Sequence, residues 1–204
     1  TFLKNSFFRV CIMGKRRMQS PSSINMYLQC PRKYFFRYKL KMPTSPSIHL
    51  VRGTVAHSAL EHFYTLVPEV IGDDYKQHLP TVLNQLLVKF WKSSKEEFDE
   101  LDMTEQQLQQ YFEETMMMLQ THLKIVLKRL DTYISQGLSF PDAFRKVTPK
   151  AEVEYISWNH YVKGFIDVVE DVDGKIRLMD YKTSKRNKLS DQYKLQLAIY
   201  ALLY

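Results

Sequence analysis

Two cysteines, Cys11 and Cys30, are too few for a disulfide scaffold in a chain of 204 residues. No apolar run approaches the roughly 18 residues needed to cross a bilayer. The N-terminal "FFRVCIM" is short and broken by Arg9, which makes a poor export signal. A chain without these features is expected inside the cell, in the cytoplasm. Glycine is scarce, at six residues, and none of them belongs to a Gly-x-x-x-x-Gly-Lys-Ser/Thr loop, so the chain is not itself an ATP-driven motor. No segment repeats internally. An initiator methionine is missing and the chain stops at Tyr204 inside an apolar helical pattern, so a fragment with a truncated C-terminus is expected.

The most informative absence is acid at the N-terminus. The first 60 residues contain no Asp or Glu but eleven Lys and Arg, among them Arg32, Lys33 and Arg37. Residues 95–114 reverse this, with eight acids from Glu96 to Glu114. The overall formal charge is +7. Such segregation suggests a polyanion-binding face, or else a solvated basic helix with no partner; charge alone leaves both open. An apolar fraction of 45% and a charged fraction of 25% are those of a globular protein, and the length suffices for one sizeable core with an insertion.

Helical periodicity dominates the first two thirds. "SPSSINMYLQCPRKYFFRYKL" opens on Ser-Pro, a helix-start signal, and sets Tyr27, Tyr34, Phe35, Phe36 and Tyr38 among its basic residues. "MPTSPS" is a loop, a second helix runs from about Val51 to Leu66, and residues 75–136 read as helical throughout, with Leu119, Leu123, Leu127 and Leu130 as a stripe. From Lys150 the pattern changes to strands: "AEVEYISW", "YVKGFIDVVED" and "KIRLMDYK". The closing "SDQYKLQLAIYALLY" reads as a helix capped by Ser190.

Asp173-Gly174 between the last two strands is a two-residue hairpin signal. That turn makes paired positions sum to 347, which sets Asp167 opposite Asp180. Cross-strand neighbours have Cβ atoms about 4.5–5.5 Å apart, and like charges there repel. Alternation puts both acids and Lys182 on one largely apolar face. Two ionised carboxylates so placed share a proton or hold a cation, and Mg²⁺ is often held by one or two carboxylates. The alternative is a Lys182 ion pair to one acid with the other solvated. Glu152 and Glu154 share a face and either add a carboxylate or face solvent. If Asn159-His160 is a tight turn, Glu152 also lies opposite Asp167. His57 is a packed helix histidine or a ligand; His62, five residues on, is read as structural.

"GFIDVV", "LMDYKTSK" and "QLAIY", in that order, resemble successive motifs of the PD-(D/E)XK nuclease superfamily, most closely its RecB-like branch of AddB-type exonucleases and CRISPR-adaptation nucleases. Upstream, "YLQCPRKYFFRY" and "RGTVAHSALEHFY" resemble the opening helix and the histidine-bearing helix of that branch. The resemblance covers residues 20–66 and 150–204; residues 67–149 match no motif. It implies an α/β, restriction-endonuclease-like core, a central mixed sheet flanked by helices, in a single domain over residues 1–204 with 67–149 as a helical insertion.

The same resemblance implies a metal-dependent nuclease that hydrolyses DNA phosphodiester bonds. The expected substrate is single-stranded DNA or DNA ends, in repair, recombination or CRISPR adaptation, with a helicase or another repair or CRISPR subunit as the candidate partner. The alternative is an inactive DNA-binding or scaffold module of a helicase–nuclease complex. His57, Asp167, Asp180 and the Tyr181 carbonyl would hold Mg²⁺ or Mn²⁺. Lys182 would orient or deprotonate the attacking water, and Gln196 and Tyr200 would contact DNA and brace the site, although both also suit a core edge. Arg32, Lys33, Arg37, Lys185 and Arg186 are candidate phosphate contacts. Cys30 stands where some RecB-like nucleases ligate an iron–sulfur cluster, but two cysteines make no such site; only a longer parent chain adding three more would.

Overall fold

The computed structural model describes residues 17–72, 74–172, 174–180 and 189–204. Helix α1 (Pro21–Gln29) starts where the sequence predicts. Ser20 accepts from the Ser23 amide, Ser23 returns a bond to the Ser20 amide, and Pro21 fills the first turn. The expected long helix then breaks at Cys30, which is extended (φ −163°, ψ 107°) because the ring of Pro31 disfavours a helical residue before it. α2 (Pro31–Tyr34) follows and passes into a π-helical turn, Phe35–Lys39.

Ser47 caps α3 (Ile48–Tyr64), which buries Val51, Val55, Ala59 and Phe63 along one stripe. Then come α4 (Pro68–Ile71), α5 (Tyr75–Ser93), α6 (Lys95–Asp99), α7 (Glu105–Ser135) and α8 (Phe140–Val147). The helical reading of residues 75–136 is therefore interrupted twice, at Ser94 and again ahead of α7. At the second break Thr104 and Gln107 form a capping box that offsets the unpaired amides of a new helix start.

Strands β1 (Lys150–Ser157), β2 (Val162–Val172) and β3 (Lys175–Met179) form a sheet in the order β1–β2–β3, and Ser190 caps α9 (Asp191–Leu203) as expected. The protein is a mixed α/β structure dominated by helices. Of the expected mixed sheet, the described residues supply these three strands and one isolated parallel bridge, Gln19 to Val162.

The residues form two compact units. One holds the described residues up to Met42 with Glu154–Phe165 and Leu189–Tyr204. In it Gly164 allows close packing: a Cβ there would lie 3.3 Å from Leu203 Cδ1 and 3.4 Å from Pro21 Cδ. The other holds Pro43–Val153 and the described part of Ile166–Lys188. Its core joins Val55 and Phe63 of α3 to Leu79, Leu83 and Leu87 of α5, Leu119, Leu123 and Leu130 of α7, and Phe144 of α8. The segment that matched no motif thus supplies most of the core against which α3 packs. Among the described residues no helix is long and apolar enough to cross a membrane.

Candidate metal centre

β2 and β3 pair antiparallel, with Val168 opposite Met179, Val169 opposite Leu178 and Val172 opposite Lys175. Every pair sums to 347, the register the turn residues dictate; the ladder ends at Val168–Met179, one step short of Asp167 and Asp180, which the same register would place opposite each other. Gly174 has φ 75°, which glycine adopts without a Cβ penalty. Asp180 follows the last residue of β3; it is half-buried and its Oδ2 is withdrawn from solvent. Val169 on the same face is buried and Leu178 half-buried, while Ile176 nearer the turn is exposed.

The third group comes from α3. His57 Nε2 lies 3.8 Å from Asp167 Oδ2, and the Asp167 side chain is only 12% exposed. That separation is too long for a hydrogen bond. Two ligand atoms each about 2.1 Å from one cation stand about 3.0 Å apart at adjacent octahedral positions and about 3.4 Å apart at tetrahedral ones. At 3.8 Å the pair stands wider than either, so the two side chains would draw together on one ion. The pair's donors, imidazole nitrogen and carboxylate oxygen, suit Mn²⁺ as well as Mg²⁺, which keeps waters in its remaining positions. Among the described residues no three His, Cys, Asp or Glu side chains form a group that could hold a metal ion, so the candidate rests on the His57–Asp167 pair. Tyr181, Lys182, Lys185 and Arg186 lie outside the described residues.

The family model of the PD-(D/E)XK nuclease superfamily matches residues 19–204. The chain belongs to that superfamily. Its members are nucleases that generally work with divalent metals, so hydrolysis of phosphodiesters is the activity the family supports. No curated protein and no solved structure matches the chain.

In this nuclease Gln196 and Tyr200 sit one turn apart on α9, and Gln196 Nε2 donates to the Tyr200 hydroxyl at 2.8 Å. Both line a cavity of about 220 Å³ with Ser20, Pro21, Lys163 and Gly164 of the same unit. Tyr200 is 4% exposed, so the pair has a packing role beside any contact it makes. Arg32, Lys33 and Arg37 are exposed on α2 and the π-helical turn. Tyr27, Phe35 and Phe36 are exposed beside them, while Tyr34 and Tyr38 are half-buried against each other, with ring centroids 5.2 Å apart. Cys30 is a half-buried free thiol. Glu154 is exposed and paired to Lys163 at 2.7 Å, the solvent-facing alternative for that acid. Glu152 lies in β1. His62 bonds to the Ser58 carbonyl at 3.0 Å and packs on Phe90, a structural role.

Reading the sequence for site residues passes over a second polar group in the same unit as His57 and Asp167. Glu170, 8% exposed, accepts from Arg129 Nη1 of α7 at 2.6 Å, and His122 Nε2, also on α7, bonds with the Tyr64 hydroxyl of α3 at 2.7 Å. The only sequence signal was an acid at the end of a valine-rich strand, "VVED".

Burial pushes the His122 imidazole below its ordinary value; Arg129 reinforces this and Glu170 partly opposes it. The unfolded chain takes up that proton near pH 6.5, the folded chain only at lower pH. Folding stability is therefore expected to fall as pH drops through about 6.5. Thermal midpoints between pH 7.5 and 5.5 check this, because His122→Asn should flatten the decline relative to the parent. An unchanged slope would contradict the assignment.

Proposed function

We propose that this nuclease is a RecB-like deoxyribonuclease, an exonuclease acting on single-stranded DNA or DNA ends in repair, recombination or CRISPR adaptation. The observation that carries the reading is the His57–Asp167 approach of 3.8 Å with Asp180 next in register. His57, Asp167, Asp180 and the Tyr181 carbonyl are the proposed ligands of Mg²⁺ or Mn²⁺, which when bound supplies the charge that polarises the phosphodiester and acidifies a water. Lys182 orients that water or takes its proton, and its charge offsets part of the repulsion between the acids. Gln196 and Tyr200 are assigned to DNA contact. Arg32, Lys33 and Arg37 neutralise phosphates, while the exposed rings of Tyr27, Phe35 and Phe36 stack unpaired bases. Lys185 and Arg186 are further proposed phosphate contacts. A cytoplasmic location and a helicase partner complete the proposal, with residues 67–149 as an insertion in one nuclease domain. An iron–sulfur cluster enters only if a longer parent chain adds three cysteines to Cys30.

The test uses the purified chain on end-labelled single-stranded and duplex oligonucleotides with Mn²⁺, Mg²⁺ or EDTA. Shortening of the single strand is expected with either metal and none in EDTA. Retarded DNA that is never cut with any metal would overturn the enzyme reading in favour of a binding or scaffold module.

A further inference from the structure

His57 and Tyr64 are seven residues apart on α3, two turns along one side, and His122 and Arg129 have the same spacing on α7. Each helix sends one of these residues to the other and one to β2. Tyr64 meets His122, which joins α3 to α7. Arg129 meets Glu170, which joins α7 to β2. His57 meets Asp167, which joins α3 to β2. Three elements are linked by three polar contacts in a closed ring, all within one compact unit.

Asp167 and Glu170 are an odd number of positions apart, so they leave β2 on opposite faces. Val168 and Val169 between them are 0% and 5% exposed, so the strand is covered on both sides there. Apolar packing alone tolerates small slides of a strand, because valine surfaces carry no directional bond. The single Arg129 Nη1–Glu170 Oε1 contact at 2.6 Å resists them, because a short charged hydrogen bond from a planar guanidinium is directional. Buried ion pairs add little net stability over apolar replacements of similar size, which makes a purely stabilising role a weak explanation for this one.

Resting on the nuclease reading of His57 and Asp167, we propose that Arg129 and Glu170 are positioning residues: the ion pair pins β2 to α7 so that Asp167 is held near enough to the His57 imidazole for both to close on one cation. The helical segment 67–149 thereby acts on the metal centre through one side chain.

The test measures Mn²⁺ binding to the purified, metal-stripped protein by the loss of its free-ion paramagnetic resonance signal, with thermal unfolding alongside. Asp167→Ala tests the reading itself and should abolish the tight site; if it binds as the parent does, the centre lies elsewhere. The double variant Arg129→Met/Glu170→Met replaces the ion pair by apolar groups and should keep the parent's melting temperature within a few degrees. Its Mn²⁺ dissociation constant is expected to rise about tenfold, the lower end of the effect of groups that orient metal ligands. Arg129→Lys retains the charge without the fork and should fall between parent and double variant, which keeps the proposal testable if the double variant does not fold. A folded variant of either kind that binds Mn²⁺ like the parent overturns the proposal.

Discussion

Asp167→Ala is expected to lower the rate of DNA cleavage at least about a thousandfold at saturating Mn²⁺ without lowering the melting temperature. The first part follows from the cation's role: charge stabilisation by a bound metal is worth several kcal/mol, and each 1.36 kcal/mol is a factor of ten in rate. The second part follows from the register, which one step beyond the Val168–Met179 pair would bring Asp167 and Asp180 side by side. In the metal-free protein two neighbouring carboxylates repel, so deleting one relieves strain even as it removes a ligand. Asp180→Ala should behave alike. Initial rates on a labelled single strand and a thermal melt in EDTA, run on the same preparations, check both halves. A structural ion pair would give the reverse, a lower melting temperature with cleavage intact, and that result would remove these acids from the chemistry.

The hairpin was legible because its determinants are local. Asp173-Gly174 fixes the turn, the turn fixes the pairing, and the pairing from Val168–Met179 to Val172–Lys175 follows by counting. The caps at Ser20 and Ser190 were legible for the same reason. The breaks in the helical insertion were not. Neither Ser94 nor Leu101–Met103 contains a proline or glycine, and the local mark of the second break is the capping pair Thr104 and Gln107, a weaker signal than the apolar stripe on both sides. Cys30 is a middle case: Pro31 disfavours a helical residue before it, a local signal that lies inside a stretch of helical spacing.

The polar ring was illegible for a different reason. Arg129 and Glu170 are 41 residues apart, and nothing in the surroundings of either names the other. The His57–Asp167 approach depends on how α3 lies against β2, which the motifs suggest but periodicity cannot supply. Local chemistry therefore gave the two acids and the family resemblance gave the imidazole, while only tertiary packing brings Arg129 to Glu170.

That packing has a measurable keystone. Phe63 is fully buried in α3, with its ring 5.3 Å from Tyr64 and 6.0 Å from Phe144 of α8, both edge-on. Phe63→Ala removes a large, fully buried side chain and leaves a cavity, at an expected cost of about 3–5 kcal/mol. Native domains have only about 5–15 kcal/mol in hand, so the variant should stand close to unfolding at 37 °C. A chain of this size is expected to lose about 2–4 °C of melting temperature per kcal/mol, or roughly 6–20 °C here. By contrast, Leu50→Ala on the same helix, 64% exposed, should change stability by no more than about 0.5 kcal/mol. Urea unfolding of both variants measures the difference, and a cost below about 1 kcal/mol for Phe63→Ala would mean that α3 is not anchored on α8. Phe63 also lies less than two turns from His57, and its neighbour Tyr64 holds His122. The cavity should therefore reach the metal centre before the protein unfolds: at 10 °C the folded variant is expected to bind Mn²⁺ more weakly than the parent, whereas Leu50→Ala should bind it equally well.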